Sequence, residues 1–216
     1  MEQIRLLNTI PEVFAGHAPT CPVSDVWGCD LSFDKGKSYL VRADSGRGKS
    51  SLCSFLYGLR SDYCGDIFFD GQKIAGSGDE KWDAIRQRSL GILFQDLRLF
   101  GDLTAVENVM LKASLSGYCD EGHIVGLLTE IGLSDRLDLP VRLLSFGQQQ
   151  RVAFVRMLCQ EADFLILDEP VSHLDASNAE VMSRMLKRKV EECGAGVIVT
   201  TIGHDLPYDY DKILML

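Results

Sequence analysis

The chain has 216 residues, 46% hydrophobic and 25% charged, which suits one domain with room for a sizeable core and excludes global disorder. Lys and Arg total 22 against 31 Asp and Glu, a net charge of −9, and a diffuse acidic surface argues against nucleic acid as a main partner. The 7 cysteines are irregularly spaced with no CxxC pair, which argues against a disulfide framework or a zinc site and for a reducing cytosol. No signal peptide opens the sequence, and no stretch approaches the roughly 18 apolar residues of a membrane helix. If the protein works at a membrane, something else is expected to span it.

In chain order, Ser38-Tyr39-Leu40-Val41-Arg42 reads as a short strand running into a glycine-containing loop, Ala43-Asp44-Ser45-Gly46-Arg47-Gly48-Lys49-Ser50. Ser50 to Leu59 then has apolar residues at helical spacing and a stop at Gly58-Leu59. Strand, loop and helix have the spacing of a P-loop. Gly46 and Gly48 permit backbone angles that turn successive N–H groups inward as a nest for phosphate oxygens. Lys49 brings a point charge for the β- and γ-phosphates and Ser50 a hydroxyl for Mg²⁺, while the helix opening there adds its positive dipole end. The plainer alternative is an ordinary glycine turn. The nucleotide-binding candidates are Ala43, Asp44, Ser45, Gly46, Arg47, Gly48, Lys49, Ser50 and Ser51.

Ile67-Phe68-Phe69 followed by Asp70-Gly71 reads as a strand entering a hairpin turn, and Ile92-Leu93-Phe94 is another short apolar run. From about Thr104 to Cys159 the pattern is helical. Phe164-Leu165-Ile166-Leu167 is continuously apolar, as expected of a strand buried on both faces. A helix from about Ser177 to Glu192 follows, then strands at Val197-Ile198-Val199-Thr200 and Ile213-Leu214-Met215. Strands alternating with helices predict an α/β fold with a mostly parallel sheet. The chain is expected to be a single domain, with a core at about 1–95 and 160–216 and an inserted helical lobe at about 96–159.

Asp168-Glu169-Pro170 ends the buried strand, and ligands of parallel sheets lie beyond the carboxyl ends of their strands. Asp168 is placed to hold Mg²⁺ through water, and Glu169 to polarise an attacking water as general base. Pro170 stops the strand. Taken in isolation, two acids at a strand end could equally cap the next helix.

Five segments in this order resemble the ABC ATPase family, from about Asp25 onward. Beside the P-loop and the Asp168-Glu169 pair, Leu144-Ser145-Phe146-Gly147-Gln148-Gln149-Gln150-Arg151 is similar to the family's signature motif. Phe94-Gln95-Asp96 resembles its Q-loop, Leu103-Thr104-Ala105-Val106-Glu107-Asn108-Val109 the stretch that follows it, Ser172-His173-Leu174-Asp175 its D-loop, and His204-Asp205 its switch-histidine motif. The resemblance implies a P-loop NTPase core with an antiparallel β portion near the N-terminus and an inserted helical subdomain. It implies ATP and Mg²⁺ as cofactors, and two ATPase subunits, identical or different, paired head to tail. Ser145, Phe146, Gly147 and Gln148 would then meet the partner's ATP in trans, at a helix start that favours anions. Gln95 would sense Mg²⁺ and the attacking water, joining Ser50 and Asp168 as a metal candidate; His204 would contact the γ-phosphate, and Asp175 would communicate across the dimer. Catalysis is then mainly positioning and electrostatics.

Alone, each residue has a blander reading: His204 as a capped or surface histidine, Gln95 as a solvated turn residue, Gln148–Gln150 as a polar helix face. There are departures from the family pattern as well. Ala43 stands where glycine is usual, at a cost of roughly 1–2 kcal/mol if that position were left-handed. Phe146 replaces glycine within the signature, Gly203 precedes the histidine where Thr is common, and the usual C-terminal extension does not follow Leu216. Phe14 is the candidate for stacking on adenine, with Trp27 a core residue.

The function implied is the ATPase subunit of a membrane transporter, peripheral on the cytoplasmic face and serving a separate permease. The compact size resembles the lipoprotein-release and macrolide-export group. A regulatory ATPase of the cell-division type, acting on a membrane partner without moving solute, would use the same residues. A soluble ABC protein of DNA repair or translation fits less well, because there is no coiled-coil insertion or second P-loop and the charge is acidic. A P-loop kinase leaves Leu144–Arg151 unexplained.

Overall fold

The computed structural model describes residues 1–15 and 24–216; Cys21, one of the seven cysteines, lies outside them. The first part of the chain forms β1 (Gln3–Pro11), α1 (Glu12–Ala15), β2 (Asp30–Asp34), β3 (Ser38–Arg42), α2 (Lys49–Leu56), β4 (Tyr63–Phe69) and β5 (Gln72–Lys73). Next come α3 (Asp79–Arg88), β6 (Leu90–Leu93), α4 (Ala105–Ser116), α5 (Glu121–Glu130) and α6 (Phe146–Leu158). The chain returns through β7 (Phe164–Asp168), α7 (Ala176–Cys193), β8 (Gly196–Thr201) and β9 (Lys212–Met215).

Two sheets result. One is parallel throughout, in the order β6-β7-β8-β3-β9, and the other is antiparallel, in the order β2-β1-β4-β5. The parallel sheet is the middle layer, because alternate residues of its strands enter different cores. Leu165, Leu167, Val197 and Val199 pack with α4 to α7, whereas Phe164, Ile166, Ile198 and Val41 pack with α2 and the antiparallel sheet. Being covered on both faces is why β7 and β8 read as unbroken apolar runs.

Local signals set the helix ends. Thr104 and Ser145 each form a capping box, with Glu107 and Gln148 respectively, and Gly117 and Gly194 end α4 and α7 at φ 65°. The expected helix at Ser50–Leu59 is shorter, Lys49–Leu56. Gly58 lies at φ 68°, and Trp82 packs so closely that a Cβ there would sit 2.5 Å from its ring. Ala43 is not among the residues with positive φ, so the alanine in place of glycine carries no left-handed strain. The antiparallel sheet is the β portion near the N-terminus that the resemblance implies, although β1, β2 and α3 are segments not picked out individually in the sequence.

Candidate functional site

Parallel pairing puts the carboxyl ends of β3, β6, β7 and β8 along one edge, and the loops leaving them carry the candidate residues. After β3, the loop turns at Gly46 (φ 79°) and Gly48 (φ 97°) into the start of α2. Gly48 is required twice over. Its φ is left-handed, and a Cβ there would lie 3.2 Å from Trp27 and 3.3 Å from Phe14. Trp27 does more than fill the core: its indole N–H donates to the Arg47 carbonyl at 3.1 Å and so anchors the loop. Phe14, the adenine candidate, lies against the same loop.

Lys49 is buried, with Nζ donating to the Ala43 and Asp44 carbonyls at 2.9 Å each and lying 3.7 Å from Glu169 Oε1. Ser50 Oγ donates to Gln95 Oε1 at 3.3 Å, and Gln95 Nε2 donates to Glu169 Oε2 at 3.4 Å. Asp168 is buried and accepts from Thr200 Oγ1 at 2.6 Å. Lys49, Ser50, Gln95, Asp168 and Glu169, distant in sequence, thus converge. Glu169 sits at φ 50°, unusual for a non-glycine residue, and its N–H donates to the Thr200 carbonyl at 3.1 Å. Beneath the loop, burial and the nearby Asp168 charge push the Cys53 thiol well up, so it packs as a neutral group.

A cavity of about 320 Å³ opens here, lined by Ser50, Gln95 and Asp168 among others. A hydroxyl, an amide oxygen and a carboxylate are hard oxygen donors, the set that Mg²⁺ prefers. No cluster of three or more His, Cys, Asp or Glu able to hold a metal occurs among the described residues. The donors therefore fit an ion that keeps waters and shares a substrate's phosphates, rather than an all-protein cage.

The other candidates lie apart. Ser145 caps α6, its Oγ accepting from Gln148 N at 3.3 Å while Gln148 Oε1 accepts from Ser145 N at 2.9 Å. No hydrogen bond among the described residues joins Ser145, Phe146, Gly147 or Gln148 to the phosphate loop. Asp175 caps α7, accepting from Asn178 N at 2.8 Å, and that bond foremost holds its carboxyl below the usual range. His204 is exposed, and its ring makes no hydrogen bond among the described residues; its carbonyl accepts from Thr201 Oγ1 at 2.9 Å. Gln150 differs from the polar helix face expected of it. It is buried, and its Nε2 donates to the Glu169 carbonyl at 3.2 Å. The S-x-x-Q capping box sets Gln148 apart in the sequence, but nothing there separates Gln150 from Gln149, because the packing of α6 on the β7–α7 loop decides which of them turns inward to Glu169.

The family described as ABC transporter matches residues 27–172. The chain is 36% identical to the lipoprotein-releasing system ATP-binding protein LolD of Syntrophotalea carbinolica, over 86% of this chain and 83% of that protein. It is also 36% identical to the macrolide export ATP-binding/permease protein MacB of Syntrophobacter fumaroxidans, over 82% of this chain but 25% of that longer protein. Among solved structures, the ATP-binding cassette MJ0796 in a dimeric post-hydrolysis state with ADP and Pi superposes with a TM-score of 0.78 at 27% identity, covering 94% of this chain and 88% of that one.

Proposed function

We propose, from the premise that the chain belongs to the ABC transporter ATPase family, that it powers transport through a separate membrane permease by closing head to tail on a second ATPase subunit. It is an ATP hydrolase of the LolD and MacB type, serving ATP-driven transport. The observation that carries the mechanism is the convergence of Lys49, Gln95, Asp168 and Glu169 at one edge of the parallel sheet.

The inward N–H groups of the Ser45–Ser50 loop and the Lys49 ammonium bind the β- and γ-phosphates of ATP. Ser50, Gln95 and Asp168 would hold Mg²⁺, which would supply charge neutralisation at the phosphates. Without ATP, Lys49 and Gln95 Nε2 lie against the two oxygens of Glu169; with the ammonium drawn to the phosphates, Glu169, still held by Gln95, would be left to take a proton from the attacking water. Ser145 and Gly147, at the dipole-positive start of α6, reach the γ-phosphate of ATP bound by the partner. His204 stands exposed on the loop after β8, free to meet that phosphate as the subunits close. The dimeric form of the MJ0796 cassette, at a TM-score of 0.76 and 26% identity, supports such pairing.

A permease of this kind would be a separate subunit, with this chain on its cytoplasmic side; no helix among the described residues is long and apolar enough to cross a membrane. A groove of about 460 Å³ beside the Gln95 loop is lined by Phe94, Phe100, Leu111 and Leu115 together with Arg98 and Lys112. Phe100 and Leu115 are each 60% exposed, which suits an apolar segment of a partner. The residues from 96 to 159 then act as the lobe that carries movement between nucleotide and permease.

The test uses tagged Glu169→Gln protein with ATP on detergent-solubilised membranes of its own host. Turnover falls by a factor of about 10² or more while ATP binding persists, and an ATP-dependent dimer accumulates. A co-purifying protein with many membrane spans supports the transporter reading. A partner with few spans favours a regulatory ATPase, and only soluble partners refute the membrane assignment.

A further inference from the structure

The start of α6 packs directly on the segment that follows the catalytic carboxylate. A Cβ on Gly147 would lie 3.0 Å from the His173 carbonyl and 3.3 Å from Leu174 Cδ2, so the helix and the Ser172–Asp175 loop are in close backbone approach. One residue earlier, the Phe146 ring meets the His173 imidazole edge-on, with centroids 4.5 Å apart and planes at 65°. His173 Nδ1 lies 2.9 Å from Ser172 Oγ, and that hydroxyl donates to the Glu169 carbonyl at 3.3 Å. With the hydroxyl proton used there, Nδ1–H is the donor to Ser172.

A second route reaches the same carbonyl one turn along α6. Gln150, 3% exposed, donates from Nε2 to Glu169 O at 3.2 Å. Its Oε1 is buried with no hydrogen-bond partner among the described residues. A buried amide held with one end unsatisfied is a costly way to fill space, and the bond it does make falls on the residue whose backbone is unusual, Glu169 at φ 50°.

We propose that Phe146, His173 and Gln150 are positioning residues that tie the first turns of α6 to the backbone of Glu169. ATP presented by the partner subunit to one chain's Ser145–Gln148 turn thereby sets the carboxylate of that same chain's own site. The inference rests on the head-to-tail reading above and adds to it a route of communication between the two ATP sites. That route uses the two side chains, Phe146 and His173, that lie in contact between the signature turn and the loop before α7. Motion of α6 along this path changes the orientation of Glu169, so it affects turnover rather than ATP capture.

The test is steady-state ATP hydrolysis by the full chain and by Phe146→Leu, His173→Ala, the double variant and Phe146→Tyr, with unfolding midpoints recorded beside it. The expected result is an approximately tenfold loss of kcat in each single variant, with KM within about twofold. The double variant loses no more than either single one, because both cut one path. Phe146→Tyr keeps the ring edge on His173 and retains more of the rate than Phe146→Leu. With the two sites communicating along this route, the wild type is expected to give a Hill coefficient for ATP above 1 and the cut variants a value of 1. As a check through the buried route, Gln150→Leu shows the same kcat loss at an unchanged unfolding midpoint. Additive losses, a raised KM at wild-type kcat, or variants equal to an active wild type overturn the relay and leave the ATPase reading standing. A wild-type chain that binds ATP without hydrolysing it overturns both.

Discussion

Lys49 and Glu169 present a buried ion pair at the centre of the site, 4% and 9% exposed with Nζ 3.7 Å from Oε1, and replacing the lysine by methionine tests whether that pair holds the site together. At this distance and an effective dielectric of about 20, the attraction is about 4.5 kcal/mol, from which the desolvation of both groups subtracts. Lys49→Met keeps the length of the side chain and removes the charge, along with the two hydrogen bonds to Ala43 and Asp44. It leaves the Glu169 carboxylate buried beside Asp168 with no cation of its own, a situation that costs about 3 kcal/mol or more. In Glu169→Gln the ammonium keeps both carbonyl partners, so the loss is smaller, about 1 kcal/mol. In the double variant no uncompensated charge remains, and it recovers about 2 kcal/mol relative to the sum of the single losses. Urea unfolding of the four proteins without nucleotide or metal measures that coupling. ATP titration separates it from function: both Lys49→Met chains lose affinity, and Glu169→Gln alone keeps it. Additivity of the unfolding free energies within about 0.5 kcal/mol refutes the pair as a structural element.

Gly48→Ala forces a side chain into φ 97° and against Trp27 and Phe14, so it lowers stability by about 2 kcal/mol and weakens ATP binding at least tenfold by calorimetric titration; wild-type affinity would remove the case for a shaped phosphate loop. Trp27→Phe keeps most of the packing but loses the bond to the Arg47 carbonyl, costing about 1 kcal/mol in urea unfolding and weakening ATP binding a few-fold. Burial pushes the Asp163 carboxyl up, but hydrogen bonds from Lys35 and the N-terminal amine outweigh it and hold the group below its usual range. Its contribution is thus present above the ordinary carboxylate pKa of about 4 and is lost as pH falls through and below that value. Asp163→Asn is less stable than wild type at pH 7, and the gap between them closes towards pH 3; a gap that does not change with pH contradicts the assignment.

Where the chain itself carries the constraint, the fold was legible. β3, β7 and β8 are buried on both faces, so their apolar runs identify them without reference to any partner. The glycines and lysine between β3 and α2 mark a candidate phosphate loop, because glycine takes the positive φ of Gly46 and Gly48 without strain and lysine adds a charge. β1 and β2 escaped notice for the opposite reason. β1 pairs with β4 some sixty residues away through a register shift after Leu7, and β2 shows only five residues, DLSFD, with acids at both ends. α3 buries no residue fully, so no strong apolar period marks it.

The site divides in the same way. Residue type and order in the sequence determined which groups are present: Lys49, Ser50, Gln95, Asp168 and Glu169, and the serine that caps α6. Only the tertiary structure decided what they touch. Trp27 became the anchor of the phosphate loop, Gln150 rather than Gln149 turned inward to Glu169, and Phe146 came to rest on His173. Capping, glycine angles and strand burial act over a few neighbouring residues or on a whole apolar run, and a sequence displays them. Which face of a helix meets which loop depends on how separate elements pack, and that is set only when the layers close on one another.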